Sequence, residues 1–180
     1  AAGSGIANFR QVTATGIGYA PVGTLHEAEL PADPHRDRDL HALLLAAVLC
    51  NDAELLAPED QERDAWSVLG DPTEGALLAL ARKAGLDVAA ERARAPRDAE
   101  LPFDSDTKLM ATRHGAAGVF VKGAPDVLLK HSGSCLDETG EKALDTALRE
   151  KIEAEYERLA TRALRVLAVA QRIIPAHDFD

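Results

Sequence analysis

Apolar positions divide the chain into short alternating runs and a few helical ones. Gln11–Gly16 alternates weakly, and "GIGYAPVGTLHE" mixes glycines with β-favouring residues, so two short strands are predicted near the N-terminus. Pro31–Asp39, "PADPHRDRD", reads as a surface loop. Leu40–Cys50 is apolar nearly all round, which predicts a buried helix with Asp37 or Asp39 as its cap. "GDPTEGALLALARKAGL" carries complete helix punctuation. Asp71 is placed as N-cap, Pro72 as first helical residue and Glu74 as the third residue of a capping box; Arg82 and Lys83 lie in the last turn and Gly85 stops it. Asp87–Arg94 predicts a further helix, and Arg92–Glu100, charged and interrupted by Pro96, predicts an exposed stretch. Lys108–Arg113 and Gly118–Lys122 flank "HGAAG" as a hairpin. Pro125–His131 reads as a short helix, Ala143–Ala160 as the longest one, and Arg165–Ile174 as a last strand ending before Pro175. With a hairpin as its strongest strand pair, the chain is expected to be α+β, an antiparallel sheet flanked by helices.

The hairpin raises a question of charge. Lysine is rarely buried unpaired, yet "GVFVKGAPDVLL" puts Lys122 where an apolar strand hands over to a helix. With a loop of about three to five residues, Lys108 is expected opposite Lys122 or one residue off. Like charges in facing positions destabilise a sheet, so such a pair points to an anion bound between the strands. Lys108, Met110 and Thr112 share one face by the pleat, as do Phe120 and Lys122, so cations would stand beside apolar surface. Such a face suits a flat ring with a charged tail, with Phe103, just upstream, as a stacking platform. The plainer reading lets both lysines reach solvent and Phe103 pack in the core.

Composition narrows the alternatives. The 180 residues suffice for one domain, here 9–176, with 1–8 as a vector-derived remnant or hinge and 177–180 as the start of a return hinge. A net charge of −10 argues against nucleic acid as partner. Cys50 and Cys135 lie far apart with no metal-ligand spacing, so no metal site is expected and a reducing compartment is the default. The longest apolar runs are too short for a bilayer, so a soluble chain, or a soluble piece of something larger, is expected. A Walker loop fails because Lys122 precedes its glycine; no G-x-G-x-x-G, H-R-D or supported Ser-His-Asp set is present, and "RHG" and "KHS" read as surface or turn histidines.

Five motifs in order then point to one family: "CND" at Cys50–Asp52, "GDPTEGALL" at Gly70–Leu78, "LPFDSDTKLM" at Leu101–Met110, "FVKGAPD" at Phe120–Asp126 and "RALRVLAVA" at Arg162–Ala170. Over roughly Cys50–Ile174 the chain resembles the nucleotide-binding domain of P-type cation-transporting ATPases, in the branch of the calcium and sodium/potassium pumps. The resemblance implies a cytosolic domain, at the cytoplasmic face of a membrane in the parent pump, that holds the adenine of ATP (Mg-ATP in the full-length pump). Phe103 would stack on the base and Glu74 would bond its amino group. Lys108 and Lys122 would line the pocket near base, ribose and phosphates, with Gly123 in the turn that holds Lys122 at its wall. Arg165 would reach a phosphate and Leu167 would pack on the purine. Glu74 has a competing role in the capping box.

The family's D-K-T-G-T, T-G-D and G-D-G-x-N-D segments do not occur in these residues. The resemblance therefore implies a monomeric fragment of an ion-translocating ATPase that binds nucleotide without hydrolysing it, with no catalytic residue of its own. Its partners would be the phosphorylation and actuator domains of the pump. Ser105 stands where several relatives carry a phosphate-contacting arginine, and Asp126 replaces a more usual glutamate. "RALR" also lacks a glycine often found before its leucine. These departures leave an alternative: a regulatory or protein-interaction domain of the same fold with little nucleotide affinity.

Overall fold

A computed structural model describes residues 9–58 and 65–173. The proposed ends 1–8 and 177–180, with Ile174 and Pro175, lie outside the described residues. Every strand pairing is antiparallel, and the mixed helix-and-sheet architecture is α+β as expected.

The strands are β1 (Val12–Ala14), β2 (Leu25–Glu27), β3 (Leu30–Pro31), β4 (Glu54–Leu56), β5 (Ser67–Leu69), β6 (Ala99–Asp104), β7 (Leu109–Arg113), β8 (Val119–Gly123), β9 (Ser134–Asp137), β10 (Gly140–Ala143) and β11 (Ala168–Arg172). The helices are α1 (Arg38–Leu49), α2 (Pro72–Lys83), α3 (Val88–Arg94), α4 (Pro125–His131) and α5 (Thr146–Ala160). The main sheet runs β11-β8-β7-β6, and three smaller ribbons pair β1-β2-β3, β4-β5 and β9-β10.

Helix α1 is the spine. Its run of leucines and alanines buries Leu44, Ala47, Val48 and Leu49 almost completely, because apolar groups on opposite sides of the helix have partners on both. One side packs with Leu25, Leu78, Leu86 and Val88 against β2, α2 and α3. The other meets Met110 and Phe120 of the sheet through Ala46, Leu49 and Cys50. Asp37 stands at the N-cap of α1 but makes no side-chain cap bond. Its carboxylate instead receives Arg10 at 2.8 Å, a guanidinium that also reaches Glu27 at 2.6 Å and Asp39 at 3.0 Å. Three carboxylates around one arginine tie the first ribbon to α1.

Helix α2 follows its sequence signals at both ends. The Asp71 carboxylate accepts from the N–H groups of Thr73 and Glu74. At the C-terminus Leu86 N–H reaches Ala81 O and Gly85 N–H reaches Arg82 O, both at 3.0 Å, with Gly85 at φ 84°. That is a Schellman end, and its outer apolar residue Leu86 is buried in the core.

Several expectations are corrected. All five residues of "HGAAG" lie in the hairpin loop, which holds a 3-10 turn at Gly115–Ala117 and is closed by His114 N–H on Gly118 O at 2.9 Å. The full loop moves the register, so Met110 faces Lys122 and Leu109 faces Gly123; Lys108 is not opposite Lys122. Lys108 falls outside β7, in the preceding turn. His114 lies in the hairpin turn but is buried rather than on the surface, its Nδ1 on Ala95 O at 2.7 Å and its Nε2 on Thr112 Oγ1 at 3.0 Å. Arg92–Glu100 is not simply exposed: Arg92 and Arg97 reach backbone carbonyls, and β6 begins at Ala99. The predicted helix 143–160 is preceded by β10 and starts at Thr146, where the Asp145 carboxylate accepts Leu148 N–H. The last strand is confined, among the described residues, to Ala168–Arg172.

Candidate functional site

One register row across the main sheet assembles most of the candidate residues. Asp104 pairs with Leu109, Leu109 with Gly123, and Gly123 with Ala168. Phe103, Lys108, Lys122 and Leu167 each stand one residue from a member of that row, on four different strands or their turns. Strand spacing puts the outer two strands about 14 Å apart. The β6–β7 pairing slips between Leu101 and Asp104, so Phe103 sits at an irregularity and is 63 % exposed. A phenylalanine left this open contradicts the core-packing reading.

Lys108 lies in the turn at φ 57°, a region that disfavours a side chain bearing Cβ. Its N–H donates to Asp104 O at 2.7 Å and its carbonyl accepts Ala124 N–H at 3.1 Å. The turn is thereby pressed onto β8, and Gly123 makes this approach possible. A Cβ at Gly123 would stand 2.2 Å from Lys108 O and 2.6 Å from Leu109 Cδ2. Gly123→Ala is accordingly expected to cost about 1–3 kcal/mol in a urea melt, the usual range for overpacking. An unchanged midpoint would show that the turn yields freely.

Lys122 is 6 % exposed and held by two hydrogen bonds. Its Nζ donates to Glu74 Oε1 at 2.6 Å and to Cys50 O at 2.7 Å. The anion that meets this lysine is a carboxylate of the same chain. Glu74 Oε2 accepts Asp52 N–H at 2.8 Å, so each oxygen of the carboxylate has a partner, one in "CND" and one in Lys122. Among the described residues, Asp71 provides the side-chain cap of α2. Two acceptor sites of the Glu74 carboxylate and one Nζ proton of Lys122 remain after these bonds. Burial pushes the Cys50 thiol up, an effect the Lys122 charge partly offsets.

Arg165 is exposed, before β11, and its charge is felt by Asp71. The Asp71 carboxyl is held below the ordinary aspartate range. Burial is the largest single influence and pushes it up, but bonds from Glu74 N–H and from Thr73, with the Arg165 charge, outweigh it. A depressed carboxyl stabilises the fold fully above its unfolded value and loses that contribution as pH falls through the folded one. Asp71→Ala is expected to cost about 1 kcal/mol at neutral pH. Thermal melts should show the gap to the parent closing below about pH 3.9; a gap constant to acid pH would refute the assignment.

The structure thus joins Glu74 to Lys122, sets Lys108 against Gly123, and places Phe103 and Leu167 at the two ends of the row. Sequence reasoning missed Asn51, Arg92 and Arg97, which brace this region through bonds to backbone atoms. The "CND" motif marked the place of Asn51 without its role. Along the row Asp104 is exposed, Leu109 and Ala168 are half-buried and Gly123 is buried. Two concave cavities of about 270 and 300 Å³ lie elsewhere, beside Arg97 and His114 and beside His35 and His41. Among the described residues no cluster of three or more His, Cys, Asp or Glu could hold a metal ion, and no helix is long and apolar enough to cross a membrane.

Comparison with known proteins follows the same segments. A family profile described as "P-type ATPase, cytoplasmic domain N" matches residues 39–180. The chain is 41 % identical over 141 residues to the cation-transporting ATPase pma1 of Synechocystis sp., covering 77 % of this chain and 15 % of that protein. It is 41 % identical over 137 residues to calcium-transporting ATPase 1 of Lactococcus lactis, covering 74 % and 15 %. With the calcium-transporting ATPase of Bacillus subtilis the identity is 36 % over 170 residues, covering 91 % and 18 %. The chain therefore spans less than a fifth of the length of these relatives. With the profile covering most of its length and the motif residues gathered at one end of an antiparallel sheet, the chain belongs to the cytoplasmic N domains of the P-type cation-transporting ATPases.

Proposed function

We propose that the chain binds ATP on the shelf formed by the row Asp104–Leu109–Gly123–Ala168. The adenine would lie across β7 and β8, with the Phe103 ring on one side and Leu167 on the other. Glu74 would accept from the base amino group, and Lys122 would supply its remaining proton. Lys108 and Arg165 are the exposed cations at the two edges for the triphosphate, and magnesium would arrive with it. The observation that carries this reading is an exposed Phe103 on the same sheet as Lys122, which is buried and hydrogen-bonded to Glu74, with Phe103 and Lys122 each one residue from the register row: an apolar stacking face and a fixed polar edge are what a purine needs.

In the parent, a cation-translocating ATPase at a membrane's cytoplasmic face, the γ-phosphoryl would pass to an aspartate on a separate phosphorylation domain, with the actuator domain as a further partner. This domain's share is positioning: it fixes the base so that the tail can be presented elsewhere. It supplies no group to the bond being broken, so the isolated chain is expected to bind nucleotide and not to hydrolyse it.

One observation favours a second reading. Lys122 is neutralised by Glu74, and Ser105 adds no charge, so few cations remain for the phosphates. A regulatory or protein-interaction domain with little nucleotide affinity would show the same balance. Titrating ATP into the labelled chain while following NMR shifts separates the two. Shifts clustered on Glu74, Phe103, Lys108 and Lys122 support ATP binding; silence up to millimolar ATP overturns it.

A further inference from the structure

We propose that Asn51 is a positioning residue for Glu74, and that through it Asn51 sets the discrimination between 6-amino and 6-oxo purine nucleotides. The proposal rests on the ATP-binding reading above. Asn51 lies just past the C-terminus of α1 and is 2 % exposed, and its side-chain amide bonds to three separate places. Nδ2 donates to Ala47 O in α1 and to the backbone carbonyl of Glu74 in α2, each at 3.0 Å. Oδ1 accepts Ala53 N–H at 2.9 Å, which closes an Asx turn over residues 51–53. That turn carries Asp52, whose N–H donates to Glu74 Oε2. One amide therefore holds Glu74 twice, by its backbone directly and by its carboxylate through the turn.

Asn51 is itself braced. Its carbonyl accepts from Arg92 Nη2 at 3.1 Å and from Arg97 Nη2 at 2.9 Å. Arg92 also reaches Ala53 O at 3.3 Å, and Arg97 continues to the carboxylates of Asp52 at 2.6 Å and Glu100 at 2.7 Å. Two planar guanidiniums on the carbonyls at the end of α1 suit the negative end of that helix and leave the turn little room to shift.

The consequence for recognition is chemical. A carboxylate only accepts hydrogen bonds, so it favours a 6-amino group and repels a 6-oxo group. A carboxylate free to swing could turn from the 6-oxo group and lose selectivity; one held at backbone and oxygen cannot. Selectivity here depends on how firmly Glu74 is held as well as on its charge. Arg92 and Arg97 act one step further out, through Asn51.

The test measures ATP and inosine triphosphate affinities by calorimetry on the 180-residue chain, on Asn51→Ala, on Glu74→Gln and on the double variant, with thermal melts to establish folding. The chain is expected to prefer ATP by about tenfold, the size of one hydrogen bond to a charged group. Asn51→Ala should bring that ratio close to one, with inosine triphosphate affinity unchanged or raised as the freed carboxylate turns from the 6-oxo group, and should have no further effect on the ratio in the Glu74→Gln background. A merely structural asparagine would weaken both nucleotides alike, and that result overturns the proposal, as does a ratio equal to the parent's. Asn51→Ser keeps an oxygen for Ala53 N–H but cannot hold both carbonyls; it carries the same expectation where Asn51→Ala does not fold. A parent ratio retained by Glu74→Gln overturns the base-recognition reading itself, and the proposal with it.

Discussion

Lys122→Met is expected to destabilise the domain by about 3–5 kcal/mol, the range for breaking a buried ion pair from one side. The Nζ of Lys122 is bonded to a carboxylate and a carbonyl, and the Lys122 and Glu74 side chains are only 7 % and 13 % exposed. Methionine fills the space but strands the Glu74 charge with a single backbone donor, and leaves Cys50 O without its lysine. Set against a total stability of about 5–15 kcal/mol, such a loss moves the denaturation midpoint far. A urea melt checks it. A cost below about 1 kcal/mol would place the pair with exposed salt bridges and would deny Lys122 a structural role.

Charge and shape separate in a second variant. Replacing both members, Glu74→Leu with Lys122→Met, removes the stranded charge, and hydrophobic replacement of a buried pair is often neutral or stabilising. The double variant should regain most of the stability lost by Lys122→Met. On the proposed reading it should still bind no ATP, because the polar edge for the base is gone. Recovery of both properties together would make the pair a device of folding alone. The pair also recasts the question that Lys122 raised in the sequence. An anion was expected, and the chain supplies it forty-eight residues upstream.

That pairing marks the limit of what the residues disclose when read in order. Helix α2 was legible end to end because its signals are local: a capping aspartate, a proline after it, a glycine at the exit. The hairpin was legible as a hairpin, but its register depended on whether "HGAAG" contributed all five residues to the loop, which the 3-10 turn decides. The ribbon β9–β10 was missed because "SCLDETGEKA" has little apolar alternation to mark a strand. Arg92 and Arg97 read as exposed, and the burial of His114 went unseen, because their partners are backbone carbonyls or lie across a fold that local sequence does not show; Arg92 finds Asn51 O at a separation of 41 residues. Motif resemblance named the candidate residues, and it could not say that Glu74 and Lys122 are bonded to each other. The capping box failed for the same reason, since the reciprocal bond lost to a lysine and an N–H from a distant turn.

Phe103→Ala is expected to weaken ATP binding by about 1–3 kcal/mol, the range for removing one aromatic platform from under a base, and to leave stability nearly unchanged. The two halves of the expectation come from one observation. A ring 63 % exposed on an edge strand contributes little to the core, and its neighbours Leu101 and Asp104 keep their pairings to Ala111 and Leu109 without it. The same exposure leaves its face open to a planar partner. Calorimetric titration of ATP gives the first quantity, a roughly 5- to 150-fold rise in Kd, and a urea melt gives the second. Phe103→Tyr keeps a ring and should bind within about threefold of the parent, whereas Phe103→Leu keeps apolar bulk without a π-face and should fall near alanine. That ordering is the informative part: an equal effect of Tyr, Leu and Ala would mean that residue 103 matters through the bulge it occupies, and stacking would be the wrong account of the shelf. Lys122→Met lowers stability and binding together, so the contrast between the two sites tests whether the polar edge belongs to the fold while the stacking face belongs to the ligand.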